Sequence, residues 1–195
     1  MIPVTPKPEP AIFDKKVRQP GLAFLKSRTP GQKLKTCWLA CLDDLWTLHG
    51  GICAYMCTYI HRATGGSTLE HMVPKSPHVS LAYEWSNYRL ACARLNSRKR
   101  DYEDVLDPFE VEDGWFGIAF PACVVLPGKK LPATRRVEFD RTVRRLKLND
   151  PHCLVERTQY FDNYRLGDIT FRFLERNAPF IARELDRQKL RRRGD

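Results

Sequence analysis

The residues best suited to chemistry lie in one short stretch of the chain. His71 follows Glu70 directly, Asn87 comes sixteen residues later, and Asn96 comes nine residues after that. A histidine beside a carboxylate can activate water for attack on phosphorus. Carboxylate and amide oxygens are hard ligands that suit Mg²⁺ or Mn²⁺. The spacing therefore predicts a metal-assisted hydrolytic site, with Asn87 either part of it or only a turn residue that bonds the backbone.

Cations accompany these residues. Lys75 follows the histidine, and Arg98 and Lys99 follow Asn96 on the same predicted helix. A helix that carries Asn96 with Arg98, Lys99 and Arg100 can present cations to a phosphodiester backbone. Arg98 and Lys99, together with Lys75 in the predicted loop, are the candidate phosphate contacts. The remaining histidines have no comparable context and are interpreted as structural: His49, His61, His78 and His152.

The elements that must position this set follow from the residue pattern. A strand is predicted around Thr68 to Met72, then a polar loop from Pro74 to His78. A second strand is predicted from Trp85 to Ala91, followed by a basic helix from Ala93 to Tyr102. The order strand, loop, strand, helix predicts an α+β fold with a small ββα core between N- and C-terminal helices.

The flanking segments differ in character. Residues 1–30 form a proline-rich basic arm, interpreted as an extended tail that binds a partner, and an amphipathic helix is expected from Leu34 to His49. Residues 31–126 are interpreted as the domain that holds the 52–101 core, with strand-like segments from Trp115 to Val125. Residues 127–195 form a basic helical region: a helix over 137–148, another ending near Leu166, and a last helix capped by Asn177 and opened by Pro179.

Composition narrows the class of partner. The 195 residues include 33 Lys and Arg against 23 Asp and Glu, a formal net charge of +10. This balance favours a polyanionic partner, nucleic acid before an anionic membrane, although basic runs can also be solvated faces or docking surfaces for a protein. The sequence has no apolar stretch long enough to span a membrane and no secretory signal, so we expect a soluble cytoplasmic protein whose seven cysteines are reduced.

The core resembles a known family. Glu70-His71, Trp85-Ser86-Asn87, Leu90-Ala91-Cys92 and Asn96-Ser97-Arg98-Lys99 are similar to the motif of HNH (ββα-metal) endonucleases, over about 50 residues. The resemblance implies that His71 is the general base, that Glu70 and Asn96 bind one catalytic divalent ion, Mg or Mn, and that Asn87 holds the loop between the strands and orients the base.

Many HNH proteins also hold a structural zinc ion between two CxxC pairs. Here the first pair is spaced CxxxC, Cys53 and Cys57, and the second keeps Cys92 but has Leu95 in place of the other thiolate. Three thiolates do not complete a tetrahedral site, and the sequence selects no fourth ligand. A structural zinc is therefore possible but doubtful, and the alternative is that these thiols pack as small apolar side chains.

Within the family, the chain most resembles the HNH subunit of Septu-type and retron-associated anti-phage defence systems. The phrases EHMVPKS, ACARLNSRK and DVLDPFEVEDGW carry this resemblance. It implies an endonuclease that cleaves nucleic acid, DNA before RNA, as the effector partner of an ABC-type ATPase. Two alternatives remain: a catalytically weak subunit that binds nucleic acid or acts as a scaffold, and a stand-alone restriction or toxin-type nuclease.

Overall fold

The computed structural model describes residues 1–64 and 66–194 and confirms the α+β class. These residues contain seven α-helices and two antiparallel two-stranded sheets. The helices are α1 (Gln19–Ser27), α2 (Leu42–Leu48), α3 (Ala93–Lys99), α4 (Arg136–Leu146), α5 (Pro151–Leu166), α6 (Phe171–Asn177) and α7 (Pro179–Arg187). The strands are β1 (Ser67–His71), β2 (Tyr88–Cys92), β3 (Phe116–Ala119) and β4 (Val124–Pro127). Within the described ranges, no helix is long and apolar enough to cross a membrane.

The predicted strand, loop, strand, helix order is present. β1 pairs antiparallel with β2, with Glu70 opposite Arg89 and His71 opposite Tyr88. The helix α3 starts directly after β2 and packs on both strands. It ends earlier than expected, at Lys99, because Arg100 takes a positive φ of 49° that breaks the helical backbone. The second strand also starts later than expected, since Trp85–Asn87 forms a short 3₁₀ turn.

The proline-rich arm does not extend away from the body of the protein. Phe13 is fully buried, with its ring edge-on to the rings of Trp85 and Tyr88. The Trp85 indole Nε1 donates to the Lys7 carbonyl at 2.8 Å, which fixes the preceding extended segment. The chain then turns through a π-helical stretch, Asp14–Arg18, into α1. The interpretation as a free tail therefore needs correction: the segment covers the loop between β1 and β2.

The C-terminal half follows the predicted helix pattern closely. Asp150 caps α5 by accepting from the Cys153 amide at 2.8 Å, and Pro151 occupies the first turn, where no donor is needed. Two details differ. The residues before the last helix form α6, which lacks a clear apolar period in the sequence, and Asn177 ends that helix by donating to the Phe173 carbonyl instead of capping α7.

One hydrophobic core joins these parts. Its buried members come from the arm (Phe13), the ββα unit (Leu90, Leu95) and the C-terminal helices (Phe139, Leu185). The expected helix over 34–49 contributes as a 3₁₀ turn, Cys37–Cys41, followed by α2, and these elements bury Trp38 and Leu45. The ββα unit is therefore supported on both sides by packed structure.

Candidate active site

A small cavity opens where β1 meets the N-terminal half of the following loop and the C-terminal half of α3. Its volume is about 100 Å³. Three of the four predicted chemical residues, Glu70, His71 and Asn96, contribute to its wall. The other lining residues are Trp38, Leu69, Pro74, Lys75, Arg100 and Asp101.

His71 is the last residue of β1, and its ring is held on two sides. The ring lies edge-on to Trp38 and Tyr88, with centroid separations of 4.9 and 5.2 Å. The ring Nε2 lies 3.0 Å from the Ala82 carbonyl oxygen, which can only accept. Nε2 therefore carries the proton, and the basic lone pair is on Nδ1. Burial lowers the His71 pKa to about 4, so the imidazole is neutral at neutral pH.

Glu70 is buried beside a lysine that is itself fully buried. The Lys99 ammonium lies 3.0 Å from Glu70 Oε1 and donates to the His71 carbonyl at 3.1 Å. Burial raises the Glu70 pKa to about 7, and the positive charge of Lys99 opposes that rise. Without a further cation, the carboxyl is therefore close to half protonated near neutral pH.

Asn96 faces the same space from α3. Its Nδ2 donates to Thr68 Oγ1 at 2.9 Å and more weakly to the Leu69 carbonyl at 3.4 Å. Both amide hydrogens are thereby directed at β1, and Oδ1 keeps its lone pairs for another partner. In the described ranges, no three His, Cys, Asp or Glu side chains converge as a metal site. A cation here would therefore depend on the Asn96 amide oxygen together with the Glu70 carboxylate, a donor set that suits Mg²⁺ or Mn²⁺.

Asn87 lies outside the cavity wall and ties the loop between the strands. Its Oδ1 accepts from the Val73 amide at 2.7 Å, and its Nδ2 donates to the carbonyls of Val73 and Leu81 at 3.0 and 3.1 Å. Leu81 directly precedes Ala82, whose carbonyl fixes the ring of His71. The loop-holding geometry expected from the resemblance is therefore present, and Asn87 is a positioning residue.

The three predicted phosphate contacts separate in the structure. Lys75 lines the cavity, with its ammonium 5.7 Å from the centre of the Trp38 ring. The side chain of Lys99 has no exposed surface, and its ammonium forms an ion pair with Glu70. Arg98 pairs with Asp150 and donates to the Leu146 carbonyl at 3.0 Å, which joins α3 to the end of α4 and the start of α5. The geometry therefore supports Lys75 alone as a phosphate contact and corrects the interpretation of Arg98 and Lys99.

Two further residues of the cavity follow α3, and one of them, Asp101, was missed at the level of sequence. Asp101 accepts from Ser76 Oγ at 3.1 Å and brings a second carboxylate to the wall. Arg100 has φ 49° and ψ −137°, a backbone conformation that disfavours a residue with a side chain by about 1–3 kcal/mol. Arg100 was expected among the cations of the helix, whereas Asp101 has the sequence pattern of an exposed helix end.

The cysteine cluster is compact. Cys53 Sγ accepts from the Met56 amide at 3.4 Å and from the Cys92 amide at 3.3 Å. The Cys53 and Cys92 thiols are hydrogen-bonded to each other; burial raises the pKa of Cys53, and this bond lowers the pKa of Cys92 to about 7. Cys57, also buried, directs its thiol at the carbonyls of Ala54 and Tyr55. Zinc binding by Cys53, Cys57 and Cys92 stays a prediction.

Comparison with protein-family models and with curated proteins finds no match to this chain.

Proposed function

We propose that the protein is a metal-dependent HNH-type endonuclease that hydrolyses phosphodiester bonds of nucleic acid, DNA before RNA. The observation that carries the proposal is the cavity shared by Glu70, His71 and Asn96. The imidazole there is neutral, and its Nε2 donates to the Ala82 carbonyl. A general base must be unprotonated before it accepts a proton from water, and the neutral imidazole at the cavity wall meets that condition.

The reaction follows from the positions of these groups. A water in the cavity gives a proton to Nδ1 of His71 while its oxygen attacks the phosphorus. The new phosphorus–oxygen bond forms as the bond to the leaving sugar oxygen breaks, and that oxygen takes up a proton from water. A divalent cation held by Glu70 and Asn96 would supply positive charge to the phosphate and the leaving oxygen.

The buried ammonium of Lys99 has a supporting role in this scheme. By partly offsetting the burial of Glu70, it favours the ionised carboxylate that a cation needs. Its second bond, to the His71 carbonyl, holds the end of β1 against α3. Lys99 therefore acts by positioning and by charge, without reaching the phosphate.

The choice of nucleic acid as substrate is supported by charge. The chain has a net charge of +10, and Lys75 and Arg100 lie at the cavity itself. Cations at the cleavage position attract a phosphodiester backbone whatever its sequence. The ATPase partner implied by the Septu-type resemblance stays a proposal on that resemblance alone.

The test compares cleavage of plasmid DNA by the wild type and a His71→Ala variant, with Mg²⁺ or Mn²⁺ present. Loss of a general base is expected to lower the rate by about 10²–10⁴-fold. The matched control is His78→Ala, which alters an exposed histidine of the same loop. Because His71 packs between two aromatic rings, unfolding curves should accompany the assay. A folded His71→Ala variant that cleaves at the wild-type rate would show that this site is not the catalytic one.

A further inference from the structure

A second, larger cavity lies directly beside the candidate active site. Its volume is about 740 Å³, and it is formed by the end of α3, the residues after it, and one face of α4. Six of its nine lining residues are Arg or Lys, and one is acidic: Ser97, Arg98, Arg100, Tyr102, Asp104, Arg141, Arg144, Arg145 and Lys147. We name this surface the α3–α4 groove.

The cations of the groove are not equally engaged. Arg98 and Arg145 are paired with Asp150 and Asp104, and Arg145 also lies over the ring of Tyr102 at 3.4 Å. Arg141, Arg144 and Lys147 are exposed and make no ion pair within the described part of the chain. Arg141 and Arg144 lie three residues apart on α4, about 4.5 Å along its axis, and Lys147 directly follows the last residue of that helix. Unpaired cations in a row present charge to a partner instead of stabilising the fold.

The hydrogen bonds of Arg98 make the end of the α3–α4 groove near Lys147 more favourable to an anion. The last carbonyls of a helix carry partial negative charge, which would repel a phosphate near Lys147. Arg98 Nη1 donates to the carbonyls of Leu146 and Lys147 at 3.0 and 3.3 Å and offsets that charge. On the other side of Arg141 lies an acidic cavity whose walls include Glu103, Asp107, Glu110 and Glu138. A polyanion is therefore favoured along the groove and disfavoured beyond it.

Arg100 connects the groove to the active-site cavity, because it lines both. It is also the residue whose backbone takes a conformation that glycine would adopt more easily, at φ 49° and ψ −137°. Tyr102, 40% exposed, adds an aromatic surface in the same groove. Aromatic and basic side chains along one channel are the combination that binds a nucleic acid strand.

We infer that the α3–α4 groove binds the phosphodiester backbone of the nucleic acid on its way to the cavity at His71, through Arg141, Arg144 and Lys147, with Arg100 at the junction. This inference rests on the proposed nuclease function and adds the surface that holds the substrate. Arginine is suited to this task because its planar guanidinium binds phosphate oxygens through two hydrogen bonds.

The experiment measures binding of a short fluorescein-labelled DNA duplex by anisotropy, in EDTA and across a range of salt concentrations. The test variant is Arg141→Gln with Arg144→Gln. The matched control is Arg172→Gln with Arg176→Gln, which removes the same charge from two exposed positions of α6. If both groove arginines contact phosphate, the slope of log K against log salt should become shallower by about 2, whereas the control should match the wild type.

Arg100→Gly is the second variant, because it should weaken DNA binding without lowering the unfolding free energy. Glycine relieves the positive φ, so the unfolding free energy should stay equal or rise, while DNA affinity falls. Wild-type affinity in Arg100→Gly, or an unchanged salt slope in the double variant, would overturn the groove as the binding surface. Absence of DNA binding by the wild type would overturn it too, and would favour an acidic protein as the partner of this surface.

The outcomes separate the two proposals. If the wild type binds DNA through the groove but does not cleave it with Mg²⁺ or Mn²⁺, the groove is supported and the nuclease proposal fails. If the wild type cleaves and the double variant has the binding and cleavage properties of the control, the groove assignment fails and the nuclease proposal stands.

Discussion

Replacing Lys99 by Met should make the stability of the metal-free protein depend on pH in a specific way. The substitution keeps the length of an unbranched side chain and removes the only ammonium in contact with Glu70 in the described structure. Glu70 has a pKa of about 7 with Lys99 beside it, and without that charge its pKa must be higher.

The size of the effect follows from proton linkage. In the wild type, the raised pKa gives a contribution of Glu70 to stability that is present below its ordinary value of 4.5 and is lost as the pH rises to about 7. Above that pH, the folded wild type and both unfolded chains have lost the proton, whereas the folded variant holds it up to its own, higher pKa. Each further pH unit should therefore lower the unfolding free energy of Lys99→Met, relative to the wild type, by about 1.4 kcal/mol. Because the folded wild type is still half protonated at pH 7, the full slope should be reached only about one pH unit higher, and it should end where Glu70 of the variant itself loses its proton.

The assay is urea unfolding of both proteins at a series of pH values in EDTA, with Lys26→Met as the control for an exposed lysine of α1. The lost bond to the His71 carbonyl adds a constant offset, so the slope with pH is the informative quantity. A difference between variant and wild type that is the same at every pH from about 6 to 9 would refute the coupling of Lys99 to Glu70.

Three further outcomes are expected. EDTA should abolish cleavage and Mg²⁺ or Mn²⁺ should restore it, as a nuclease assay would show, because the donors in the cavity are hard oxygen atoms; cleavage that persists in EDTA would contradict this. Asn87→Ala should lower the unfolding free energy by about 2–3 kcal/mol through loss of three bonds that tie the loop. It should also slow cleavage by releasing Ala82 from His71, and Gln159→Ala, at an exposed position of α5, serves as the control. Phe13→Ala should cost about 3–5 kcal/mol in thermal or chemical unfolding, because the ring is fully buried; a cost below about 1 kcal/mol would mean that the arm is not packed.

The sequence predicted the ββα unit well because its signals are local. Strand, turn and helix preferences change at the right positions, and the strands and helices it predicted there are present within a few residues. The shared cavity of Glu70, His71 and Asn96 also follows from these elements, since β1 and α3 must pack together for the hairpin to be covered.

The features that the sequence did not predict depend on contacts between segments that are far apart in the chain. Lys99 and Arg98 are neighbours in a basic run. Lys99 is fully buried against Glu70, whereas Arg98 forms an ion pair with Asp150, 52 residues away. Charge patterning assigns both to the surface, because buried cations are rare and their partners cannot be located by spacing. The arm was misread for a similar reason: prolines weaken local structure, but Phe13 finds its partners at Trp85 and Tyr88.

The bonds of Asn87 also determine where this protein could accept extra residues. One amide joins Val73 to Leu81, so residues 74–80 form a short closed loop whose ends are fixed independently of its length. The exposed tip includes Ser76, Pro77 and His78. Doubling the length of a flexible loop with fixed ends costs only about 0.6 kcal/mol of closure entropy. The tip is therefore a place where a peptide tag or a recognition element could be inserted while the Ala82 carbonyl continues to hold the His71 ring in position.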